Sequence, residues 1–368
     1  FPTRRSSDLI QGKGVVNGSS HKKLLAIGNL KQPVHAWGEI YTGISAKDYM
    51  DGTSNFYGVH SVTLYVDSVQ VFNSTTDKVL PDENRMINGF TDYEELTRTR
   101  RLIMRSYKLP GNRLRLLHPN ENRGAVTIDE ERDYHFRYVL EDNFGNRRTY
   151  QFIVKGKRQD IPEYKPEANE MLYWNRTNVI QKPGMELVVP RYYVYEDVPL
   201  RTDMRGDSSH IAFDYILDAG RTPIHSYCDL SIGLRHMPVA DTTKYYIVQK
   251  AGKWRSSMGG KYANGWIKTR VRSLGTFSVD VDTIAPQITP IGQGGWRTSR
   301  NIRFRIKDME SGIGSYKVYI DGKFVLFGLK KGILVIQDPE KVKKGVSHKL
   351  EVTVTDQCGN MTRKEYKF

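Results

Sequence analysis

The stretch Asp142–Asn146 reads DNFGN, and a near copy, DQCGN, stands at Asp356–Asn360. A strand-like run precedes each stretch, His135–Leu140 in the first case and Lys349–Thr355 in the second. Glycine supplies the positive φ that a tight hairpin requires, and Asp or Asn side chains bond their own backbone at its corners. Two such hairpins with matching strands upstream predict a repeated β module. The repeat favours a binding or spacing role over catalysis.

The repeat extends toward the N-terminus of each copy. DYMDG at Asp48–Gly52 is similar to DMESG at Asp308–Gly312, and VTLYVD at Val62–Asp67 is similar to YKVYID at Tyr316–Asp321. From the first Asp to the Asp that opens the hairpin, one copy covers 94 positions (48 to 142) and the other covers 48 (308 to 356). The first copy therefore carries an insertion of about 46 residues.

Composition favours β structure and a soluble surface of mixed charge. The 368 residues are enough for two or three domains of about 100–200 residues each. Tyr and Gly are abundant and Leu- and Ala-rich helical periods are scarce, as in antiparallel sheets with one wet face. A formal charge of +15 would attract an anionic partner. The basic residues are scattered among acids, however, so a solvated surface is the better interpretation and no nucleic-acid partner is predicted.

The cysteines and the chain start limit the class of protein further. Two cysteines, Cys228 and Cys358, exclude a disulfide scaffold and a four-cysteine zinc site. No apolar run approaches the ~18 residues needed to span a bilayer, so no transmembrane segment is predicted. Phe1–Leu9 fits no strand or helix pattern and resembles translated sequencing-adapter sequence. We therefore expect residues 1–9 to be a non-native-looking leader on a fragment whose N-terminal part, including any signal peptide, is missing.

Turn-rich and charged stretches divide the rest of the chain into three predicted modules. Residues 10–158 form an Ig-like β-sandwich with a helical insertion, and a charged linker with two prolines follows at Lys157–Pro166. Residues 159–283 form a second β-sandwich module, which lacks the hairpin phrase of the repeat. Residues 284–368 form a C-terminal Ig-like β-sandwich, because DTIAP at Asp282–Pro286 is a common start of bacterial Ig-like modules. The predicted fold class is all-β, with three tandem β-sandwich (Ig-like) modules and a short helical insertion in the first.

Alternating apolar residues between turn signals predict the individual strands. The first module has Leu24–Ile27, Val34–Tyr41, a hairpin-like pair within Val59–Phe72, Phe136–Leu140 and Tyr150–Val154, with a turn at Asn55–Gly58. The second module has Glu186–Val189, Arg191–Tyr195, Ile211–Leu217, Cys228–Leu234, Tyr245–Val248, Trp266–Ser273 and Phe277–Val281. The third module has Ile302–Ile306, Tyr316–Ile320, Phe324–Phe327, Ile333–Ile336 and Leu350–Val354.

The insertion contains the one convincing helix signal. Thr91–Glu94 reads TDYE, which has the Ser/Thr-x-x-Glu form of a capping box. Tyr93, Leu96 and Ile103 would share one face of the helix, and the pattern stops before Pro110. We expect this insertion, which a generic Ig-like spacer lacks, to be the first place to look for a contact surface.

Residues of catalytic or metal-binding type do not form a recognisable site. His210–Asp214 has the His-x-x-x-Asp spacing of some zinc sites, but metal binding needs at least three convergent ligands and no His-x-His or His-Glu-x-x-His occurs. A structural or surface role is the better interpretation. Asp308, Glu310 and Asp321 offer a calcium alternative, but no Asp-x-Asp-x-Asp-Gly loop is present and turn capping is favoured. We assign no catalytic and no metal-binding residue.

Binding residues also stay unassigned. Trp254, Trp266 and Trp296 offer a sugar-stacking platform, but aromatics are also good residues for cross-strand packing. Lys250–Arg272 interleaves basic and aromatic residues, without a nucleic-acid-binding signature. Gly292–Gly295 is expected to be a turn with no helix after it, so a phosphate-cradling loop is not favoured.

From about Ile10 onward the chain resembles the region that follows the catalytic domain in lysostaphin-like (LytM-type) zinc metallopeptidases of Bacteroides-type bacteria. The stretches that carry the resemblance are QGKGVVNG at Gln11–Gly18, VHAWGE at Val34–Glu39, INGFTDYE at Ile87–Glu94, LPGN at Leu109–Asn112 and LGTF at Leu274–Phe277. The resemblance covers nearly everything except residues 1–9. It is fairly specific in the first module and generic in the third.

The resemblance implies a parent enzyme that cleaves peptidoglycan cross-links and lies in the periplasm, at the outer membrane or outside the cell. Such peptidases hold zinc through His-x-x-x-Asp and a later His-x-His, and none of these ligands is found here. His210 and Asp214 lie in the wrong region and lack the second motif. The resemblance therefore implies no cofactor in this chain, with zinc held only by the missing peptidase domain.

These observations give one main functional hypothesis and two alternatives. The main hypothesis is a non-catalytic accessory region that positions or regulates a murein metalloendopeptidase, with the peptidase domain as a partner in cis and peptidoglycan as a second partner. The first alternative is a free-standing cell-surface adhesin or glycan-binding protein. The second is a hydrolase with a dispersed active site, which would need a pocket with convergent His and carboxylate groups.

Overall fold

The computed structural model describes residues 7–11, 13–17, 23–26, 34–49, 56–163, 166–207 and 209–368. Two compact units contain them. Unit 1 is drawn from Phe1–Asn178, Val189–Arg201 and Ala219–Ser226, and unit 2 from Val179–Val188, Thr202–Asp218 and Tyr227–Phe368. Three segments of the middle stretch, residues 159–178, 189–201 and 219–226, thus belong with the N-terminal part. The division into modules at 10–158, 159–283 and 284–368 stays a prediction.

The N-terminal part of unit 1 is built on one large, mostly antiparallel sheet. Its strands are β1 (Ser7–Gln11), β2 (Gly14–Val16), β3 (Lys23–Ala26), β4 (Val34–Ile44), β5 (Asp48–Tyr49), β6 (Phe56–Tyr57), β7 (Ser61–Val66), β8 (Val69–Thr75), β9 (Met104–Arg105), β10 (Leu117–Pro119), β11 (Val126–Ile128), β12 (Asp133–Glu141) and β13 (Arg147–Gly156). Their order is β10-β8-β7-β12-β13-β4-β1-β3. β2, β9 and β11 also pair with β4 in this sheet, whereas β5 and β6 form a separate two-stranded sheet. β13, which follows the first hairpin, pairs in parallel with β4, which precedes the first copy of the repeat.

Alternation of apolar and polar residues places one face of this sheet in the core. On β7 the buried residues are Val62, Leu64 and Val66, with partly exposed residues between them. β12 buries Tyr138 completely, and its hydroxyl lies 2.6 Å from Thr42 Oγ1 and 2.8 Å from Ser106 Oγ. Each fully buried side chain of this size contributes about 1.5–3 kcal/mol. The paired hydroxyls avoid the cost of burying a polar group without a partner.

Three short helices form the insertion. They are a 3-10 helix (Asn84–Met86), α1 (Ile87–Phe90) and α2 (Tyr93–Thr99). The helix signal at Thr91 is confirmed, but the cap lies one residue later than the capping box predicts. Asp92 is the N-cap, and its Oδ1 accepts the backbone N–H of Glu95 at 3.0 Å. The helix ends at Thr99 with Arg100 in the left-handed region, so the expectation that Ile103 shares a helix face is wrong.

The middle stretch contributes eleven strands. They are β14 (Glu170–Leu172), β15 (Asn178–Lys182), β16 (Met185–Val189), β17 (Val198–Arg205), β18 (Asp214–Asp218), β19 (Cys228–Gly233), β20 (Tyr245–Ala251), β21 (Trp254–Ser257), β22 (Lys261–Ala263), β23 (Trp266–Val271) and β24 (Gly275–Val281). In unit 1, β14 pairs with the start of β17. In unit 2, one sheet has the order β18-β24-β20-β21 and another has β15-β16-β19-β23-β22. A 3-10 helix (Thr242–Lys244) precedes β20.

The C-terminal part of unit 2 is a sandwich of two four-stranded sheets. Its strands are β25 (Gln287–Ile291), β26 (Arg303–Lys307), β27 (Ile313–Ile320), β28 (Lys323–Phe324), β29 (Phe327–Lys330), β30 (Ile333–Ile336), β31 (Lys349–Asp356) and β32 (Met361–Lys367). The orders are β25-β26-β30-β29 and β28-β27-β31-β32. The helices are α3 (Trp296–Ser299) and two 3-10 helices (Gln293–Gly295 and Pro339–Lys341). Apolar residues of both sheets share one core around the fully buried Trp296.

Both hairpins of the repeat form, and their capping bonds match. Oδ1 of Asp142 accepts the backbone N–H groups of Phe144 at 2.8 Å and Asn146 at 2.9 Å, and its Oδ2 accepts Nδ2 of Asn146 at 2.8 Å. Asp356 makes the same three bonds at 2.8, 2.8 and 2.7 Å. The glycines of the two turns have φ values of 84° and 79°. One hairpin joins β12 to β13 and the other joins β31 to β32, as the phrase predicts.

The fold class predicted from the sequence is confirmed: the protein is nearly all β, with sheets packed as tandem sandwiches. Several local predictions are wrong. Residues 191–195 form turns instead of a strand, and β18 begins at Asp214 instead of at Ile211. Residues 56–57 form β6 instead of a turn, while Asn55 lies outside the described residues. Residues 7–9 belong to β1, because backbone pairing with β3 and β4 does not depend on an alternating pattern.

Candidate functional site

A cavity of about 430 Å³ opens within unit 1, beside the insertion. It brings together three segments that are far apart in sequence. Its lining residues are Asp92, Tyr93, Glu94, Arg105, Leu109, Tyr195, Glu196, Val198, Ala219, Gly220, Arg221, Thr222 and Pro223. Ligand pockets are typically about 300–1,000 Å³. The cavity is thus large enough for a small molecule or the end of a polymer.

The insertion supplies the first wall through the start of α2. Asp92 is only 1% exposed, and its role as N-cap fixes it in place. Tyr93 is half-buried, and Glu94 is exposed at the rim. The short helix therefore presents a buried carboxylate, an aromatic ring and an exposed carboxylate to one side of the cavity.

Arg105 brings the main positive charge to the cavity. It lies on β9, which pairs with β4 through Gly43. Its Nη1 is 3.4 Å from the carbonyl oxygen of Gly89, which is a long hydrogen bond, and its buried Nε has no hydrogen-bond partner among the described residues. Burial alone would lower the pKa of Arg105, but the neighbouring acidic groups of Tyr107, Glu196 and Asp92 raise it. Arg105 is thus a charged group with an unused donor.

The opposite wall is held in place by Tyr195. Its ring is 3% exposed, and its hydroxyl donates to the carbonyl oxygen of Arg85 at 2.8 Å. The backbone N–H of Gly111 donates to the carbonyl oxygen of Tyr195 at 2.6 Å. A Cβ at Gly89 would lie 2.8 Å from the Tyr195 ring, so a glycine is needed for the insertion to approach this closely. These contacts fix the backbone that carries the next residue, Glu196.

Glu196 brings a negative charge to the side of the cavity that faces solvent. Within the part of the chain that the structure describes, its carboxylate makes no hydrogen bond or ion pair. The protein around this carboxyl raises the pKa of Glu196, and the charge of Arg105 opposes that shift. Arg105 and Glu196, which both line the cavity, therefore influence each other electrostatically without forming an ion pair.

The remaining lining residues include small and apolar side chains. Leu109 and Val198 are buried and give it an apolar surface. The loop at residues 219–223 is fixed by the Thr222 hydroxyl, which donates to the carbonyl oxygen of Ala219 at 2.6 Å. Arg221 is exposed, and its Nη1 lies 3.4 Å from Thr97 Oγ1. The lining residues include carboxylates, guanidinium groups, tyrosines and small apolar groups, and no His, Cys or Ser.

Unit 2 contains the one group of potential metal ligands found among the described residues. Asp282, Asp308 and Asp356 each place a carboxylate oxygen within 4.8 Å of the others. Oxygen ligands suit a hard cation such as Ca²⁺. Each of these carboxylates also accepts backbone N–H bonds, as Asp308 does from Glu310 at 3.1 Å and from Gly312 at 2.7 Å. Hairpin and turn capping therefore account for the positions of all three without an ion.

The other residues of metal-ligand type in the sequence lie apart. His210 Nδ1 contacts Asp207 Oδ1 at 3.0 Å, and Asp214 binds Lys250 Nζ at 2.6 Å, so they do not share a ligand set. Asp308 does not meet Asp321, whose Oδ2 lies 2.6 Å from His348 Nδ1. Asp321 Oδ1 accepts the N–H of Lys349 at 2.9 Å, which agrees with the predicted turn capping.

The aromatic and glycine-rich candidates also differ from expectation. Trp254 is 82% exposed, whereas Trp296 is in the core, so these two side chains do not share a sugar-stacking platform. Gly292 precedes a 3-10 helix that runs into α3, so the expectation of no helix after this turn is wrong. α3 has four residues, too few for an anion site at its N-terminus.

Sequence reasoning pointed to the insertion but missed the other half of the cavity. Asp92, Tyr93 and Glu94 lie in the stretch that carries the helix signal. Glu196 and residues 219–223 have no motif, and only the three-dimensional packing of unit 1 brings them to the insertion. The breaker Pro190 and the acidic pair after Tyr195 would have indicated a polar loop there.

Comparisons with known proteins give one family match and remote structural likenesses. A Ca²⁺-stabilized adhesin that helps an Antarctic bacterium reach out and bind ice aligns with 10% identity over 90% of this chain and 93% of that chain, with a TM-score of 0.17. The Bacteroides ovatus mixed-linkage glucan utilization locus protein SGBP-B, in complex with a heptasaccharide, aligns with 11% identity over 89% and 62%, with a TM-score of 0.14. Sidekick-1 immunoglobulin domains 1–4 align with 10% identity over 100% and 90%, with a TM-score of 0.15.

These likenesses are too weak to transfer a function, and a search of curated proteins found no significant match. No helix among the described residues has the length and apolar character needed to cross a membrane. The family match covers less than half of the chain, but it includes Tyr195, Glu196 and the 219–223 loop of the cavity. Residues 169–282 are similar to the Zu5-like domain.

Proposed function

We propose that this chain is a non-enzymatic, cell-surface binding region of the adhesin type, and that the cavity in unit 1 is its ligand site. The observation that carries the proposal is the pair Arg105 and Glu196. Two opposite charges line one cavity and stay apart, although collapse into an ion pair would satisfy both. A charged group held without a partner beside a cavity is suited to bind a ligand.

The walls of the cavity support binding because they are preorganised. Asp92 is fixed by the helix cap, Tyr195 by its bond to Arg85, and the 219–223 loop by Thr222. A site that is already ordered loses little entropy on binding. The lining groups also favour binding over nucleophilic catalysis, since a nucleophile needs an adjacent base such as His. The tandem β-sandwich fold agrees with a binding role at a cell surface.

Binding to bacterial surface material tests this proposal. The purified chain would be mixed with insoluble peptidoglycan sacculi, with intact Gram-negative cells and with immobilised cell-surface glycans, and the bound fraction measured by sedimentation. We expect saturable binding to at least one of them, and a drop of about tenfold or more in affinity for Glu196→Gln. Glu121→Gln, which changes an exposed glutamate away from the cavity, is the matched control.

Two results would contradict the proposal. One is binding that Glu196→Gln and Arg105→Lys leave unchanged, because the cavity would then play no part. The other is hydrolysis of the sacculi by the purified chain, which would contradict a non-enzymatic role.

A second candidate is the accessory region of a murein metalloendopeptidase. Two stretches that resemble such proteins, Ile87–Glu94 and Leu109–Asn112, supply cavity residues, so the resembling part of the sequence coincides with the candidate site. The genomic sequence upstream of Ile10 tests this candidate. An in-frame His-x-x-x-Asp followed by His-x-His would support it, and a start codon with a signal peptide directly before Ile10 would refute it.

A further inference from the structure

We infer that the cavity in unit 1 takes a zwitterion of the amino-acid type, a ligand end that carries an ammonium and a carboxylate group close together. This inference rests on the proposed function, which it deepens by naming the ligand class. In the bound state, Arg105 receives the carboxylate and Glu196 receives the ammonium group. Free α-amino acids have this chemistry, and so does a residue that is joined to a larger molecule through its side chain.

Arg105 and Glu196 both have hydrogen-bonding capacity that no described residue uses. Nε of Arg105 is buried without an acceptor, and Nη1 has only a long bond to the Gly89 carbonyl oxygen. Guanidinium groups bind carboxylates through two parallel N–H bonds, and such charge-assisted bonds are about twice as strong as neutral ones. A ligand carboxylate would thus supply what the folded chain does not.

Glu196 lines the same cavity, and its carboxylate has no hydrogen-bond or ion-pair partner among the described residues. Its backbone is held by the contacts of the neighbouring Tyr195. An ammonium group offers three donors and a positive charge to such a carboxylate. The exposed Glu94 lies at the rim and adds negative charge on the side where the ligand enters.

The cavity also has small and apolar lining residues. Leu109 and Val198 are buried and apolar, while Ala219, Gly220 and Pro223 are small. A short aliphatic side chain on the carbon between the ammonium and carboxylate groups would lie against these residues. The volume of about 430 Å³ leaves room for part of a larger molecule attached through that side chain.

Other ligand classes fit this charge arrangement less well. A phosphate would face the carboxylates of Asp92, Glu94 and Glu196, and a divalent cation would face the guanidinium of Arg105. A neutral sugar can bond to both kinds of group but neutralises neither charge. A zwitterion satisfies both charges at once and leaves the net charge of the cavity unchanged.

Titration calorimetry near pH 7 tests this inference, with D-alanine, L-alanine and meso-diaminopimelate as probes. N-acetylalanine lacks the ammonium group and alanine methyl ester lacks the carboxylate, so they are the control ligands. We expect at least one zwitterion to bind about tenfold or more tightly than either control, because each control loses one charge-assisted contact. Glu196→Gln should weaken the zwitterion by a similar factor and should not weaken N-acetylalanine, whose carboxylate Glu196 repels.

Arg105→Lys should weaken both the zwitterion and N-acetylalanine, because a lysine ammonium cannot form the two parallel bonds of a guanidinium. If Arg105→Lys does not fold, Glu196→Gln still decides the result, since Glu196 is exposed and lies outside the core. Glu121→Gln should bind every probe as the unchanged protein does.

Equal affinity for the zwitterions and the two control ligands would overturn the inference, as would the absence of zwitterion binding. If a glycan such as methyl β-D-glucoside binds instead and Glu196→Gln weakens it, the inference fails while the proposed function stands. If surface material binds and no cavity variant affects it, both fail.

Discussion

Replacing Gly89 by alanine tests whether the close approach of the insertion to Tyr195 holds the cavity together. The added Cβ would lie 2.8 Å from Cδ2 and Cγ of Tyr195 and 3.0 Å from Nδ2 of Asn112. Carbon atoms in contact are about 3.5–4.0 Å apart, so the ring would have to retreat by roughly 0.7 Å. The hydrogen bond from the Tyr195 hydroxyl to the Arg85 carbonyl oxygen resists that movement.

Two effects of opposite sign decide the stability of Gly89→Ala. Alanine in a helix is about 0.5–1 kcal/mol more favourable than glycine. Overpacking a well-filled core costs about 1–3 kcal/mol. Because the clash is with a buried, hydrogen-bonded ring, we expect the packing effect to win and the unfolding free energy of unit 1 to fall by about 1–2 kcal/mol. Ligand affinity should fall as well, since Tyr195 fixes Glu196.

Urea unfolding followed by circular dichroism measures this change, with Gly58→Ala as the control. A Cβ at Gly58 meets no atom within 4 Å, so that variant should stay within about 0.5 kcal/mol of the unchanged protein. A Gly89→Ala protein that is as stable as the Gly58→Ala protein, or more stable, would refute the packing argument.

Four further variants test other parts of the fold. Hydrogen bonds from Arg115 and from the Leu80 backbone lower the pKa of Glu83 from 4.5 to about 2, so its charged form stabilises the folded state. The loss of melting temperature in Glu83→Gln should be largest near neutral pH and disappear as the pH falls from 4.5 toward 2; a pH-independent difference would contradict this. Gly145→Ala and Gly359→Ala should each cost about 1 kcal/mol in urea unfolding, because the added Cβ meets nothing and only the positive φ is penalised; a loss above about 3 kcal/mol would contradict it. Trp296→Ala should lower the unfolding free energy of the C-terminal sandwich by about 3–5 kcal/mol, measured by calorimetry, and a loss below about 1 kcal/mol would show that the core repacks around it.

The sequence predicts the sheets well because their signal is local. Alternation along Ser61–Val66 corresponds residue by residue to burial, and the Asp and Gly of each hairpin phrase carry the turn geometry within five residues. The strand prediction for residues 191–195 is wrong because contacts that are distant in sequence decide their structure. They alternate like a strand, but Tyr192 has a φ of 68° and the Tyr195 carbonyl oxygen bonds to the N–H of Gly111 instead of to a neighbouring strand.

The candidate site was only half predictable for a similar reason. Asp92 and Tyr93 belong to a helix start that a short motif reveals. Arg105 and Glu196 come together only because both line one cavity, and no spacing along the chain encodes that arrangement. A lone arginine or glutamate in sequence is most often a solvated surface residue.

The two hairpins of the repeat have the same capping bonds but opposite surroundings at their tips. Phe144 is 92% exposed, whereas Cys358 is 2% exposed and packs with Tyr246 and Val248 of β20 inside unit 2. Burial raises the pKa of the Cys358 thiol to about 11, so little thiolate is present at neutral pH while the hairpin is seated. The rate of labelling of Cys358 by a thiol reagent would therefore report the local opening of this hairpin. The rate at which Cys358 reacts measures how often the C-terminal hairpin lifts from β20 under native conditions.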